Sequence, residues 1–172
     1  MNSGVTALEG RVWKLGDNVP LEDVMSAKYD ELATTDRITE IVRHTLEHLV
    51  PNFADNVRPG DMIVTGTRFG IGKHHFGVIG ALQEVGVSAV LSESLDPLFQ
   101  RESIDRGLYA LAFPGITSVV ADGERMRLEL LTGTGVNLSR ELSFKLTPAS
   151  RLLGTAPQQT CLHQLIDLAR DR

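Results

Sequence analysis

Apolar and polar residues alternate through Arg11-Val12-Trp13-Lys14-Leu15, a run set between Gly10 and Gly16. That pattern predicts a half-buried strand over residues 10–17 and then a loop to about Thr35. The period changes next. Ile38, Ile41, Val42, Leu46 and Leu49 recur at helical spacing, with Thr35 or Asp36 placed as cap and Pro51 as stop, so an amphipathic helix is predicted from Asp36 to the proline. Pro59-Gly60-Asp61 makes a turn into the β-rich run Met62-Ile63-Val64-Thr65, and glycines crowd the chain from Gly66 to Gly80. Val78, Ile79, Leu82 and Val85 then form a helical apolar face closed by Gly86, and a second apolar strand follows over residues 87–91.

This order spells a βαβ unit. Asp96-Pro97 opens another helix toward Gly107, with Asp96 as cap and Pro97 at the first helical position. Beyond it the chain alternates, as in Arg125-Met126-Arg127-Leu128-Glu129-Leu130-Leu131, and reads as mainly β. Leu162, Leu165, Ile166 and Ala169 share one face of a closing helix expected at about residues 157–170. No repeat or low-complexity tract interrupts the chain, so residues 1–172 read as a single domain.

Composition narrows the class. Hydrophobic residues make up 42% of the 172 and charged residues 23%, enough apolar surface to build a core. Seventeen basic against 22 acidic residues leave a net charge of −5, the wrong sign for a protein that binds nucleic acid through its phosphates. Cys161 is the one cysteine, which excludes an internal disulfide and a thiolate-held metal centre built from this chain alone. No apolar run reaches the ~18 residues of a membrane span, and the first residues carry no signal-peptide pattern; a cytoplasmic protein without membrane contact is expected.

Candidate chemistry gathers in the glycine loop, Gly66-Thr67-Arg68-Phe69-Gly70-Ile71-Gly72-Lys73-His74-His75-Phe76-Gly77, between a strand and a helix. Two phosphate motifs fail on spacing. Five residues instead of four separate Gly66 from Gly72-Lys73, and His75 stands where a dinucleotide fingerprint needs its third glycine. What remains is a cluster of Arg68, Lys73, His74 and His75 on flexible backbone at a helix N-terminus, suited to a carboxylate or phosphate. The plainer alternative is that the glycines only permit close packing and the cations lie in solvent. His44-Thr45-Leu46-Glu47-His48 matches an inverted zinc-protease pattern, but its helical angle puts His44 and Glu47 on a solvated face, so no metal site is expected there. Cys161, among apolar residues, reads as a small buried thiol.

The chain resembles the small subunits of 3-isopropylmalate dehydratases, the separate swivelling domain of the aconitase superfamily. The likeness begins in Gly10-Arg11-Val12-Trp13-Lys14-Leu15-Gly16-Asp17-Asn18-Val19, passes through Ala27-Lys28-Tyr29, and is strongest from Pro59 to Gly72. It continues through Ser94-Leu95-Asp96-Pro97-Leu98-Phe99, Ile104-Asp105-Arg106-Gly107-Leu108 and Ser150-Arg151-Leu152-Leu153-Gly154, covering roughly residues 8–168. The departures are local. Where the family has Ser-Ser-Arg-Glu, with a serine for proton transfer and an arginine for a substrate carboxylate, this chain has Lys73-His74-His75-Phe76. Pro20-Leu21-Glu22-Asp23 stands in the stretch of the family's Asp-Thr-Asp.

The resemblance implies an α/β fold, a layered β/β/α swivelling domain of aconitase type. It implies a hydro-lyase subunit that works on a hydroxy-di- or tricarboxylate, with a [4Fe–4S] cluster on a partner large subunit. On that reading Lys73 and His74 take the catalytic places, and Arg68, Gly70, Gly72 and His75 the substrate-binding ones. The alternative is a diverged, non-catalytic carboxylate-binding or regulatory domain that kept the fold.

Overall fold

The computed structural model describes residues 7–29, 38–73 and 75–146. Among these residues seven strands form one sheet: β1 (Ala7–Lys14), β2 (Met62–Thr65), β3 (Ala89–Ser92), β4 (Tyr109–Ala112), β5 (Arg125–Glu129), β6 (Thr134–Asn137) and β7 (Leu142–Lys145). Their order across the sheet is β4-β3-β2-β1-β5-β6-β7. The first four run parallel and the last three join antiparallel, so β1 serves two halves: Ala7 to Arg11 pair with β5, and Val12 to Lys14 pair with β2.

Strands β2 and β3 are buried on both faces, as expected of a parallel sheet covered twice. On one side Ile63, Val90 and Ala110 meet the helices. These are α1 (Leu21–Val24), α2 (Ile38–Ile41), α3 (Phe53–Asn56), α4 (His75–Glu84) and α5 (Pro97–Asp105); α6 (Ile116–Val119) lies on the other side. There Met62, Val64, Ala89, Leu91 and Tyr109 pack on Met126, Leu128 and Phe144 of the antiparallel half, which curls over them. Alternation within each strand thus divides two cores, and the layering is β/β/α.

The junction in β1 is pinned by a buried carboxylate. Asp61, 4% exposed, accepts from Arg11 N at 3.1 Å, Trp13 Nε1 at 2.9 Å and Arg58 N at 3.0 Å. Gly10 is required beside it, because a side chain there would meet the Gly60 carbonyl at 2.0 Å.

Most predicted elements are present with shifted bounds. The first strand ends at Lys14 rather than Asp17, and the strand expected at 87–91 lies at Ala89–Ser92. Asp96 caps α5 as its position suggested, accepting from the Leu98 and Phe99 amides at 3.0 Å each. The long helix expected up to Pro51 is a real miss. Only α2 and a 3-10 turn, Val42–His44, form in its described part. Leu46 is left-handed (φ 56°) and buried, and its N–H crosses to the Val24 carbonyl at 2.8 Å, so a tertiary bond replaces the next helical turn. His44 and His48 accordingly do not line one helix face: His44 Nδ1 lies 2.6 Å from one Glu47 oxygen, and His48 Nε2 approaches the other at 3.5 Å. The helix expected near 157–170, with Cys161, lies outside the described residues.

Replacing Asp61 by alanine leaves three partly buried donors without their acceptor, each costing up to about 1–3 kcal/mol. We expect Asp61→Ala to lose about 3 kcal/mol of stability in urea titrations followed by Trp13 fluorescence. A loss below about 1 kcal/mol would show that the β1–β2 junction does not depend on this carboxylate.

Candidate functional site

The parallel strands all end on the same side, and the loops that follow them meet there, the usual place for a ligand in an open α/β sheet. Beyond β1 and β2 the pairing continues outside regular strand. Leu15 N donates to Val64 O, Gly66 N to Gly16 O, Asn18 N to Thr67 O, Gly70 N to Val19 O and Leu21 N to Ile71 O, at 2.7–3.2 Å. Residues 15–21 thus run along one flank of the glycine loop. On the other flank Phe69 N donates to Ser94 O and Asp96 N to Phe69 O, while Arg68 N reaches Ser94 Oγ.

The glycines answer to this lacing. A side chain at Gly66 would strike the Asp17 carboxylate at 2.0 Å, and one at Gly70 (φ 87°) would meet the Phe99 ring at 2.8 Å. At Gly72 (φ 141°) the obstacle is the Glu22 carboxylate, 2.5 Å from where a Cβ would be.

Four carboxylates at this end of the sheet are engaged by backbone amides. Asp17 accepts from Thr67 N at 2.6 Å and from Thr67 Oγ1 at 3.0 Å; the backbone bond first, then the hydroxyl, hold its carboxyl below the ordinary range. Glu22 accepts from Lys73 N at 3.2 Å, and Asp96 caps α5. Glu93 accepts from the Gly115 and Thr117 amides and the Thr117 hydroxyl. Burial pushes its carboxyl up, but these bonds outweigh that and leave it lowered.

The predicted site residues divide. Arg68 and Lys73 are exposed, and their charged groups have no hydrogen-bond or ion-pair partner among the described residues. Between them Gly70 and Gly72 shape the backbone, and the N–H groups of Ile71 and Gly72 meet no acceptor among the described residues. These two cations and two free amides are what an anion could use. His75 is separated from them: its side chain is 9% exposed, turned beneath the loop toward Phe99 and Glu102. His74 lies outside the described residues.

Sequence reasoning missed Glu22 as a neighbour of the loop, although Pro20-Leu21-Glu22-Asp23 departs from the family pattern. It missed Asp17, Ser94 and Glu102 too; an acid or serine just past a strand end was the available signal for the first two, and Glu102, inside α5, carried none. Elsewhere Glu47 joins His44, His48 and Lys28, with the Tyr29 ring stacked 4.3 Å from His44. The His44 hydrogen bond holds the Glu47 carboxyl low against the opposing effect of burial.

Asp17 supplies a pH test. Its folded value lies below the ordinary 3.8, so the clasp on Thr67 is fully present above that pH and is lost as pH falls through the lowered value. Removing the hydroxyl by Thr67→Val should raise the Asp17 value toward 3.8 while the backbone bond keeps it lowered, as read by carboxyl NMR titration. An unchanged value would mean the hydroxyl does not act on the carboxylate.

No family model matches the chain. Curated relatives do. The chain is 33% identical to the 3-isopropylmalate dehydratase small subunit of Halothermothrix orenii, over 82% of this chain and 84% of that one. It is 34% identical to the methanogen homoaconitase small subunit of Methanothermobacter thermautotrophicus, over 82% and 79%. A crystal structure of 3-isopropylmalate dehydratase from Methanocaldococcus jannaschii has the same fold, with TM-score 0.74 and 24% identity over 96% of this chain and 98% of that one. With most of its length aligned at this identity and its strand order, glycine loop and layering in place, the chain belongs to the family of 3-isopropylmalate dehydratase small subunits.

Proposed function

We propose that this chain is the small subunit of a hydro-lyase that dehydrates and rehydrates a hydroxy-di- or tricarboxylate, isopropylmalate being the first candidate. It contributes a carboxylate-binding loop to an active site shared with a large subunit. The observation that carries this is the contrast at the sheet end. Four acids there are engaged by backbone amides, while Arg68, Lys73 and the Ile71 and Gly72 amides are left without an internal anion among the described residues. Family membership supplies the reaction class.

A [4Fe–4S] cluster, which members of the superfamily use as Lewis acid, needs several thiolates. One cysteine does not fit it, so the cluster belongs on the large subunit. This chain's share is to bind and orient. Arg68 can grip a carboxylate with two parallel N–H groups, and Lys73 adds a point charge. Gly70 and Gly72 let backbone amides approach the ligand closely. Lys73 or His74, standing where the family has its serines, takes the proton-transfer role.

The replacement of Ser-Ser-Arg-Glu by Lys73-His74-His75-Phe76 favours a second reading, a carboxylate-binding domain without turnover. Kinetics on the assembled complex separate the two. A charged hydrogen bond to a carboxylate contributes about 1.5–3 kcal/mol, so Arg68→Ala or Lys73→Ala should raise KM for 3-isopropylmalate roughly ten- to a hundredfold with unchanged circular dichroism. Turnover that ignores both substitutions contradicts the loop's role. Absence of turnover, with binding that both substitutions weaken, establishes the second reading.

A further inference from the structure

His75 occupies the place of the family arginine, and its side chain is turned toward α5. Its Nε2 lies 3.1 Å from the Gly72 carbonyl and its Nδ1 faces the Glu102 carboxylate; both oxygens can only accept, so the ring bridges them with a hydrogen on each nitrogen. Its Nδ1 is buried without an aligned hydrogen-bond partner and stands 3.2 Å from Glu102 Oε2 on α5. Phe99, three residues before Glu102 on that helix, meets the imidazole edge-on at 6.2 Å and fills the space that a side chain at Gly70 would need. Helix α5 therefore bears on the loop at both Gly70 and Gly72.

The peptide between Gly72 and Lys73 is held at both ends. Its carbonyl receives His75, and its N–H donates to Glu22 at 3.2 Å. A peptide is planar, with C=O and N–H pointing in opposite directions, so two such contacts fix the orientation of the whole unit. That orientation sets where the Lys73 side chain departs and how the neighbouring Gly72 and Ile71 amides are presented.

We infer that His75 and Glu102 are positioning residues of the glycine loop: Glu102 orients the imidazole, the imidazole holds the Gly72 carbonyl, and the loop's anion-binding groups are set without either residue touching the ligand. The inference rests on the loop being the carboxylate site, and it deepens that reading by assigning the arginine's place a different task. Glu102 is 36% exposed, so its replacement removes little packing.

The test uses the complex with a large subunit, 3-isopropylmalate as probe, and the variants Glu102→Ala, Glu102→Gln and His75→Asn. Glu102→Ala should raise KM about three- to tenfold with kcat within about twofold and the melting temperature unchanged, and Glu102→Gln should recover most of the loss. Added to His75→Asn, Glu102→Ala should have no further effect, because the path through the ring is already broken. Additive effects, or an unchanged KM in Glu102→Ala, overturn the inference. Exchange of the Lys73 amide, which donates to Glu22, gives a readout in the full chain that needs no turnover: Glu102→Ala should accelerate it several-fold, and an unchanged rate overturns the inference. A complex that turns over nothing, with exchange accelerated, removes the hydro-lyase reading and leaves the positioning role standing.

Discussion

The site depends on the lacing of two loops across the ends of adjacent parallel strands. Residues 15–21 after β1 and residues 66–71 after β2 exchange backbone hydrogen bonds as though the strands had continued. Regular strand does not continue, because Gly70 and Gly72 have positive φ and Asp17 and Glu22 press against the loop where side chains would otherwise be. A loop held this way presents its remaining amides in a set direction, which a solvated glycine run would not do. Pairing two loops also means that substitutions in the first, far from the glycines in sequence, act directly on the second.

Charge is arranged to the same end. The chain carries a net charge of −5, and acids outnumber bases around the sheet's carboxyl ends. Asp17, Glu22, Glu93 and Asp96 nevertheless accept from backbone N–H groups rather than from the charged side chains of Arg68 or Lys73. A carboxylate so engaged both organises a loop and has part of its charge offset by peptide dipoles. In a protein that is acidic overall, the cations stay available to an incoming anion such as the proposed hydroxy acid ligand.

The fold was legible where local signals and tertiary structure agree. β2 is a run of apolar, β-favouring residues between Asp61 and Gly66, and α5 has both an aspartate cap and a proline at its first turn. The stretch around Leu46 was not, because its apolar spacing fits a helix while a bond from Leu46 to Val24 takes the chain elsewhere, and spacing carries no record of that partner. The glycine loop stood out from composition and resemblance alone, and its exposed cations Arg68 and Lys73 stand at the sheet end. The inward turn of His75 was invisible: it depends on Glu102 and Phe99, which lie 27 and 24 residues further along and meet the imidazole only in the folded chain.

On the proposed reading, the laced loop receives a substrate carboxylate. Hydrogen exchange on the assembled complex, with and without saturating 3-isopropylmalate, tests it most directly. New protection is expected at residues 68–73, including the Ile71 and Gly72 amides, with a smaller gain in the flanking residues 15–21. Ligand-dependent protection that leaves these residues unchanged and falls elsewhere on the chain contradicts it.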